Sequence, residues 1–492
     1  MNLFEKIHTL ANSTDSLDQF LCDNMEMIND FHNAEYPSVL NFKDSIERFI
    51  LLKANIIESL DYSKSYNKAF VSILLEFCER FSLIAATLRI YSILEVNEIS
   101  IGLRLQAGLL YLYNIDSNSR LVERFEQICK NLDDAIELEE DNDIKALSTF
   151  LNYYANVIIN TPQTFRETIN RKIENAINNK SYHFIQNTLI KDALLINSNN
   201  VEADFDNLQL IIDKLLNKFG GVKRHLVNEL LQNIFLIEQN TEYASILSGT
   251  KKSFTAIRNI SVNKLSSIEN KDEIFYSLGR GVTILENENQ MYLYMNSFGK
   301  MHFEKLKTAF EYLPENIFNE QVNIIDWGCG QAMATITYFD FLKINKIEQT
   351  FKNIILIDPS ELTLKRAALH VKEYLKDAQI ITINKDLDSL LDHDLLSIGN
   401  DVNLHLFSNI LDIDLFSLTD LIKKIEKGFK GENYFVCVSP YITDLKTNRL
   451  DTFMNYFKKY EGFQELKSIN NKSGQWQGNW TRVVRVFKTV IK

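Results

Sequence analysis

Three stretches of this chain set acids, glycines and small polar residues where a ligand needs them. The first is Val322-Asn-Ile-Ile-Asp326-Trp-Gly328-Cys329-Gly330-Gln-Ala, an apolar run that ends in an acid and a glycine-rich turn. Glycines in such a turn permit positive φ and remove the Cβ atoms that would hold a ligand off the backbone. The helix that follows begins with N–H groups lacking intrahelical partners, which suit a polar or anionic ligand. The second stretch is Ile354-Ile-Leu-Ile-Asp358-Pro359-Ser360, with an acid closing another apolar run. An acid there can accept both hydroxyls of a ribose, and Ser360 can cap the next helix. The third comprises Asn384-Lys-Asp386-Leu387 and, further on, Ser408-Asn409. Cys329 occupies a helix start, where a thiol can be activated, but the expectation is a packing role. Asp392-His-Asp394 has metal-ligating residue types, yet alone it reads as a solvated turn, and no metal site is expected. His405, inside an apolar strand, reads as a satisfied core histidine.

These residues need a scaffold, and the chain around them alternates in period. Strands are expected at 322–326, 353–358, 378–384, 402–408 and 434–439, with helices near 331–344, 360–376, 387–397, 414–428 and 446–460. That alternation argues a parallel sheet with helices on both faces. Two closing strands, 463–469 and 481–490, follow without a helix between them and predict an antiparallel hairpin at the sheet edge. The helix over 360–376 turns Leu364, Ala368, Val371 and Leu375 inward. Its Lys365, Arg366, Lys372 and Lys376 read as a solvated face.

Asp326-Trp-Gly-Cys-Gly-Gln-Ala resembles the first motif of the class I S-adenosylmethionine-dependent methyltransferases, hh-D-x-G-x-G-x-G/A. The resemblance covers about 180 residues and implies a Rossmann-like domain, a mostly parallel seven-stranded sheet with a terminal antiparallel hairpin. It implies S-adenosylmethionine as cofactor. Asp326, Gly328, Cys329 and Gly330 would line its methionine and adenosine side. Asp358 with Pro359 would meet the ribose, and Asp386 with Leu387 the adenine. Ser408 and Asn409 would lie between cofactor and acceptor. Candidates for the acceptor side are Asn409, Tyr441, His302 and Tyr294. Asp326 and Asp358 stand 32 positions apart, longer than the family pattern, so 345–351 reads as an insertion. The fourth strand ends Ser408-Asn-Ile-Leu and lacks the Asn-Pro-Pro-Tyr of base-amino methyltransferases, which argues against a DNA-base acceptor.

Other chemistries fit less well. Met333 stands where a nicotinamide enzyme's third glycine belongs, and no G-x-S-x-G elbow or phosphate-binding P-loop occurs. A nicotinamide oxidoreductase and a catalytically silent methyltransferase-like module nevertheless stay open as alternatives.

Before residue 220 the chain has few prolines or glycines and long apolar runs at helical spacing, such as 70–95, 103–113 and 121–138. The expected organisation is an all-helical region over 1–220, a mostly helical connector or lid over 221–310, and the methyltransferase-like domain over 311–492. Within the connector, Gly279–His302 reads as a lid or wall over the cofactor, with Met291, Met295, Phe298 and His302 on one face and glycines 279, 281 and 299 as hinges. Net charge is −12. Residues 301–492 hold 24 basic and 25 acidic residues, so the acidity lies in residues 1–300, with 29 against 40. That balance disfavours an unaided grip on nucleic acid and favours a protein or small-molecule acceptor, with the N-terminal helices recruiting a partner or substrate. Five scattered cysteines without a CxxC pair fit a reducing compartment. With no apolar leader or membrane span, a cytoplasmic location is expected.

Overall fold

In the computed structural model of the chain, seven strands form one sheet in the order β3-β2-β1-β4-β5-β7-β6. The structure describes residues 3–34, 36–113, 118–138, 143–186, 190, 237, 241–279, 283–376, 379–395, 402–413 and 415–492. The chain divides into two compact units, Met1–Val227 with Ile442–Asn448, and Asn228–Tyr441 with Arg449–Lys492.

The described regular elements of the first unit are helices, among them α1 (Ser65–Arg80), α2 (Leu103–Leu112) and α3 (Asp143–Asn160). The apolar run over 70–95 is not one helix. It breaks after Arg80, where Ser82 takes φ 51°, and resumes at Ile84–Val96. The run over 121–138 likewise falls in two helices, Asn118–Glu123 and Phe125–Leu138. Between the helices lies a buried charge network. Arg104 pairs with Glu76 (2.8 Å) and approaches Glu79 (3.5 Å). Tyr111 (2.6 Å) and Asn152 (3.1 Å) donate to Glu79, and His32 contacts Glu76 at 2.8 Å.

Burial pushes the Glu76 carboxyl up, but the charges of Arg104, Lys145 and His32 outweigh it and hold the group well below its usual range. A folded pKa below the unfolded one contributes stability that is present above the unfolded value, about 4.3, and lost as pH falls from there towards the folded value. Denaturant midpoints of this unit should therefore drop steeply below about pH 4.3. Glu76→Gln, already without that charge, should flatten this fall. Parallel pH profiles for the two proteins would refute the assignment.

The second unit carries the sheet. Strands β1 (Val322–Trp327), β2 (Phe351–Ile357), β3 (Ile380–Ile383), β4 (Val402–Ser408) and β5 (Gly431–Ser439) are parallel. Strands β6 (Gln464–Asn471) and β7 (Arg482–Ile491) close it as the expected antiparallel hairpin, with β7 between β5 and β6. The inner strands are buried on both faces, which is why they read as unbroken apolar runs. The helices are α4 (Glu288–Phe310), α5 (Met333–Asn345), α6 (Glu361–Tyr374), α7 (Leu418–Gly428) and α8 (Asp444–Tyr456).

The helix expected over 387–397 is mostly absent: one turn, Asp392–Leu395, is helical, and residues 396–397 lie outside the described part. Asp386 accepts the Ser389 N–H (2.8 Å) and Asp394 the Leu391 N–H (2.7 Å), so local side chains take amides of this stretch. Gly281, one of the expected hinges, lies outside the described residues. The 345–351 stretch is a short connection after α5, turned by Lys346 at φ 56°.

The amino-terminal halves of four adjacent strands share a feature that strand patterning does not announce. Asn353 donates to Asn323 (2.9 Å), Asn323 to Asn403 (3.0 Å) and Asn403 to Asn433 (3.2 Å). Asn433 closes the series on the Gly431 carbonyl (2.9 Å). The four amides form a buried, one-directional ladder across β2, β1, β4 and β5. His405 joins it: Trp327 Nε1 donates to its Nδ1 (3.2 Å), and its Nε2 donates to Asn433 (2.9 Å). Burial holds His405 down to about 4, against the Asn433 bond that favours the charged form. It is the satisfied core histidine its strand position suggested.

Candidate functional site

The candidate residues gather at the carboxyl ends of β1, β2 and β4. The strand order reverses direction at β1, between β2 and β4, and such a switch point leaves a crevice where open α/β sheets bind ligands. After β1 the chain turns through Gly328 (φ 60°) and Gly330 (φ 50°), then Ala332 (φ 58°), into α5. The two glycines serve different ends. A Cβ on Gly328 would lie 2.3 Å from Ile410 Cδ1, whereas a Cβ on Gly330 would meet nothing within 4 Å. Gly328 permits packing, and Gly330 leaves open space.

Two buried carboxylates organise the turn. Asp326 accepts from the Thr335 hydroxyl (2.7 Å) and the Thr335 N–H (3.2 Å), tying strand to helix. Burial pushes its carboxyl up to about 7, against those two bonds and helped by the charge of Asp358. Asp358 accepts the Gly330 N–H (2.8 Å), the Ser360 N–H (2.9 Å) and the Thr363 hydroxyl (2.8 Å). A carboxylate offers roughly four lone-pair positions, so three protein donors leave about one for a ligand. Burial raises Asp358 above the ordinary carboxylate range despite its hydrogen bonds.

Cys329 is buried, and burial next to Asp358 and Asp326 lifts its thiol far above the usual range, which removes a nucleophilic role. Ser360 caps α6 through the Thr363 N–H (3.3 Å). Pro359 gives its carbonyl to Asn384 (3.0 Å), and the Asp358 carbonyl takes a second bond from the same amide (3.1 Å). Asp386 and the buried Leu387 follow β3 on the same edge.

Helix α4 runs along this edge. Ser360 donates to the Leu285 carbonyl just ahead of it (2.7 Å), and Arg366 pairs with Glu288 (2.9 Å). Gln331 donates to the Met291 carbonyl (3.0 Å). Further on, His302 Nδ1 meets Ser408 Oγ (2.9 Å), Asn409 Nδ2 meets His302 Nε2 (2.8 Å), and Lys305 donates to Asn409 Oδ1 (2.8 Å). In chain order the helix is fastened beside the ends of β2, β1 and β4. Gly299 is no hinge: it lies mid-helix, where a Cβ would sit 3.2 Å from Met295 Sδ and 3.4 Å from Phe254 Cζ.

Of the acceptor-side candidates, the structure brings His302 and Asn409 into one network, which Ser408 joins, and the Tyr294 ring lies 6.1 Å from that of His302. Tyr441 lies just beyond the end of β5, its N–H on the Thr481 hydroxyl (3.0 Å). Lys305 escaped the sequence reading, although it follows His302 by one helical turn and so shares its face. Arg366 was misread as solvated. It is fully buried, with its guanidinium 3.4 Å from the Tyr243 ring centroid and 5.6 Å from that of Tyr292. Next to it, His370 bonds Tyr243 (2.7 Å) and the Gln331 carbonyl (2.9 Å), bracing the turn after β1 from behind. Among the described residues no group of metal-ligating side chains occurs, and Asp392 and Asp394 pair with Lys427 and Lys385. No helix among them is long and apolar enough to cross a membrane.

No family model and no curated protein matches this chain. Three of the similar solved structures span most of their own chains. One, from Listeria monocytogenes, is assigned to the class I S-adenosylmethionine-dependent methyltransferases: 12% identity, 76% of this chain and 89% of that one, TM-score 0.30. The plantazolicin methyltransferase BpumL, in complex with S-adenosylhomocysteine, shares 15% identity over 47% of this chain and 99% of its own, TM-score 0.28. The methyltransferase subunit of a type I restriction-modification system from Streptococcus thermophilus shares 10% over 99% and 85%, TM-score 0.27. The overlap is shallow in each case, and the fold rests on the strand order and the hairpin.

Proposed function

We propose, from a sheet with the strand order of the class I methyltransferases, that the second unit binds S-adenosylmethionine and transfers its methyl group. The observation that carries this reading is the turn after β1. Gly330 faces open space at the switch point while its N–H is held by Asp358, so the backbone is bared to a ligand and fixed in place. The cofactor supplies a methyl carbon on a sulfonium. The chain's own residues bind, orient and keep the site dry. Backbone from Gly328 to Gln331 would hold the amino-acid side, Asp358 a ribose hydroxyl, and Asp386 with Leu387 the adenine. Residues 1–220 form, in this reading, a helical domain that recruits a partner or substrate, 221–310 the connector and lid, and 311–492 the catalytic domain. A protein or small-molecule acceptor accords with the acidic N-terminal part, and a cytoplasmic setting with the scattered cysteines.

Calorimetric titration with S-adenosylmethionine, S-adenosylhomocysteine and NAD tests the reading. Binding of the first two and not the third is expected. Asp358→Ala should weaken S-adenosylmethionine by about 1.5–3 kcal/mol, the scale of a hydrogen bond to a charged group. Undiminished affinity in a folded variant would remove Asp358 from the site, and NAD binding alone would overturn the function.

Helix α4 is the proposed lid. Hydrogen exchange should slow across Met291–His302 when S-adenosylmethionine is added. Protection confined to 324–335 and 354–362 would make the helix a structural bridge instead.

A further inference from the structure

We infer that Ser408 is the group that holds the methyl acceptor, and that the acceptor presents to it an anionic oxygen, a carboxylate or a phenolate. The inference rests on the methyl-transfer reading and adds to it the chemical class of the substrate.

The direction of one hydrogen-bonded chain carries the argument. Lys305 is fully buried, and its ammonium has only protons to give. Its bond to Asn409 (2.8 Å) therefore fixes the amide oxygen towards Lys305 and turns the amide N–H groups towards His302. His302 Nε2 must then accept. In a neutral ring the proton is on Nδ1, which donates to Ser408 Oγ at 2.9 Å. Burial, and then the Lys305 charge, hold His302 neutral.

Two consequences follow for Ser408. Its oxygen is already a recipient, so its own O–H remains to be given, and His302 has no lone pair left with which to take that proton. This is the reverse of a serine–histidine nucleophile. Moreover, every bond in the chain points outward from a buried cation, through Asn409 and His302, to a half-buried hydroxyl. Bonds aligned in this way strengthen one another in a low-dielectric interior. The terminal hydroxyl is a reinforced donor backed by a positive charge, and the ligand atom that matches it is an anionic oxygen. The network supplies no base, so the acceptor has to arrive deprotonated. Methyl transfer to it forms an O–C bond from the oxygen's own electron pair. The S–C pair returns to sulfur, and no proton needs a place. Ser408 touches the acceptor in this arrangement, whereas His302, Asn409 and Lys305 are positioning residues behind it.

Benzoate and benzylamine, titrated into the full chain with and without S-adenosylhomocysteine, test the inference. Benzoate should bind and benzylamine should not. Ser408→Ala should weaken benzoate roughly tenfold or more, the effect of losing one charged hydrogen bond, and leave S-adenosylhomocysteine unchanged. Ser408→Thr, which keeps the hydroxyl, should retain benzoate. Nitrogen-15 spectra of the histidines should show His302 as the Nδ1–H tautomer in both the wild type and Ser408→Ala. Lys305→Met should shift that signal and weaken benzoate. No benzoate binding to the wild type, equal affinity in Ser408→Ala, or an Nε2–H tautomer would overturn the proposal. So would loss of S-adenosylhomocysteine in Ser408→Ala with 5′-methylthioadenosine unaffected, because the anion at Ser408 would then be the cofactor's own carboxylate. Failure of S-adenosylhomocysteine to bind the wild type counts against the methyl-transfer reading, while the benzoate arm still judges Ser408.

Discussion

Gly330→Val is expected to lower S-adenosylmethionine affinity at least roughly a hundredfold, about 2.7 kcal/mol, while the protein stays folded. The side chain would enter the open space in front of the turn, where no protein atom lies within 4 Å. Its stability cost is the left-handed backbone alone, about 1–2 kcal/mol at φ 50°. Gly328→Val, two residues earlier, reverses the balance. It adds to a similar backbone cost a collision with Ile410, whose Cδ1 and Cγ1 lie 2.3 and 2.9 Å from the added Cβ. Overpacking of that kind costs about 1–3 kcal/mol more. Calorimetry and denaturant unfolding on the two variants separate the roles. Unchanged affinity in Gly330→Val would mean that the space before Gly330 is not where the cofactor lies.

Asn403→Leu is the variant expected to unfold the second unit most readily. It removes the acceptor that Asn323 uses at 3.0 Å and the donor that Asn433 receives at 3.2 Å, both deep in the sheet. A buried polar group that loses its partner costs about 1–3 kcal/mol; Asn323 loses the Asn403 acceptor, whereas Asn433 keeps its bond from His405 (2.9 Å), so the total should be about 2–4 kcal/mol. Asn353→Leu, at the end of the series, breaks one rung and should cost about half as much. Replacing Asn323 and Asn403 together should cost less than the sum of the single changes, because the two share a bond. Cofactor affinity should hold in all of these, since the ladder lies at the opposite end of the strands from the site. Urea midpoints give the ranking, and equal costs for Asn353→Leu and Asn403→Leu would show that the amides do not act as a ladder.

The parts of this fold that are local in cause were legible in the residues. The strand–turn–helix at Asp326 to Thr335 follows from an apolar run meeting two glycines, and the closing hairpin from two strands with only a polar loop between them. What depends on distant partners was not legible. Arg366 adjoins the part-exposed Lys365 in sequence, and Tyr243, Tyr292 and Glu288, brought from elsewhere in the chain, account for its burial. The break at Ser82 carries no glycine or proline to mark it. The asparagine ladder did leave a trace: Val322-Asn-Ile-Ile, Lys352-Asn-Ile-Ile, Val402-Asn-Leu-His and Glu432-Asn-Tyr-Phe repeat one polar residue just before each apolar run. Read singly, each asparagine resembles a strand edge. Read together, they set one register, because a one-residue slip of any strand would take its amide out of line with the others.

The fastening of α4 beside three strand ends also bears on time. A molecule lodged beneath that helix would leave as the helix loosens from the turns after β2, β1 and β4, which would tie its residence to a local opening rate. If α4 covers the bound cofactor as proposed, release of the demethylated product would wait on that loosening, and Glu288→Gln, which weakens the pair with Arg366, would quicken it.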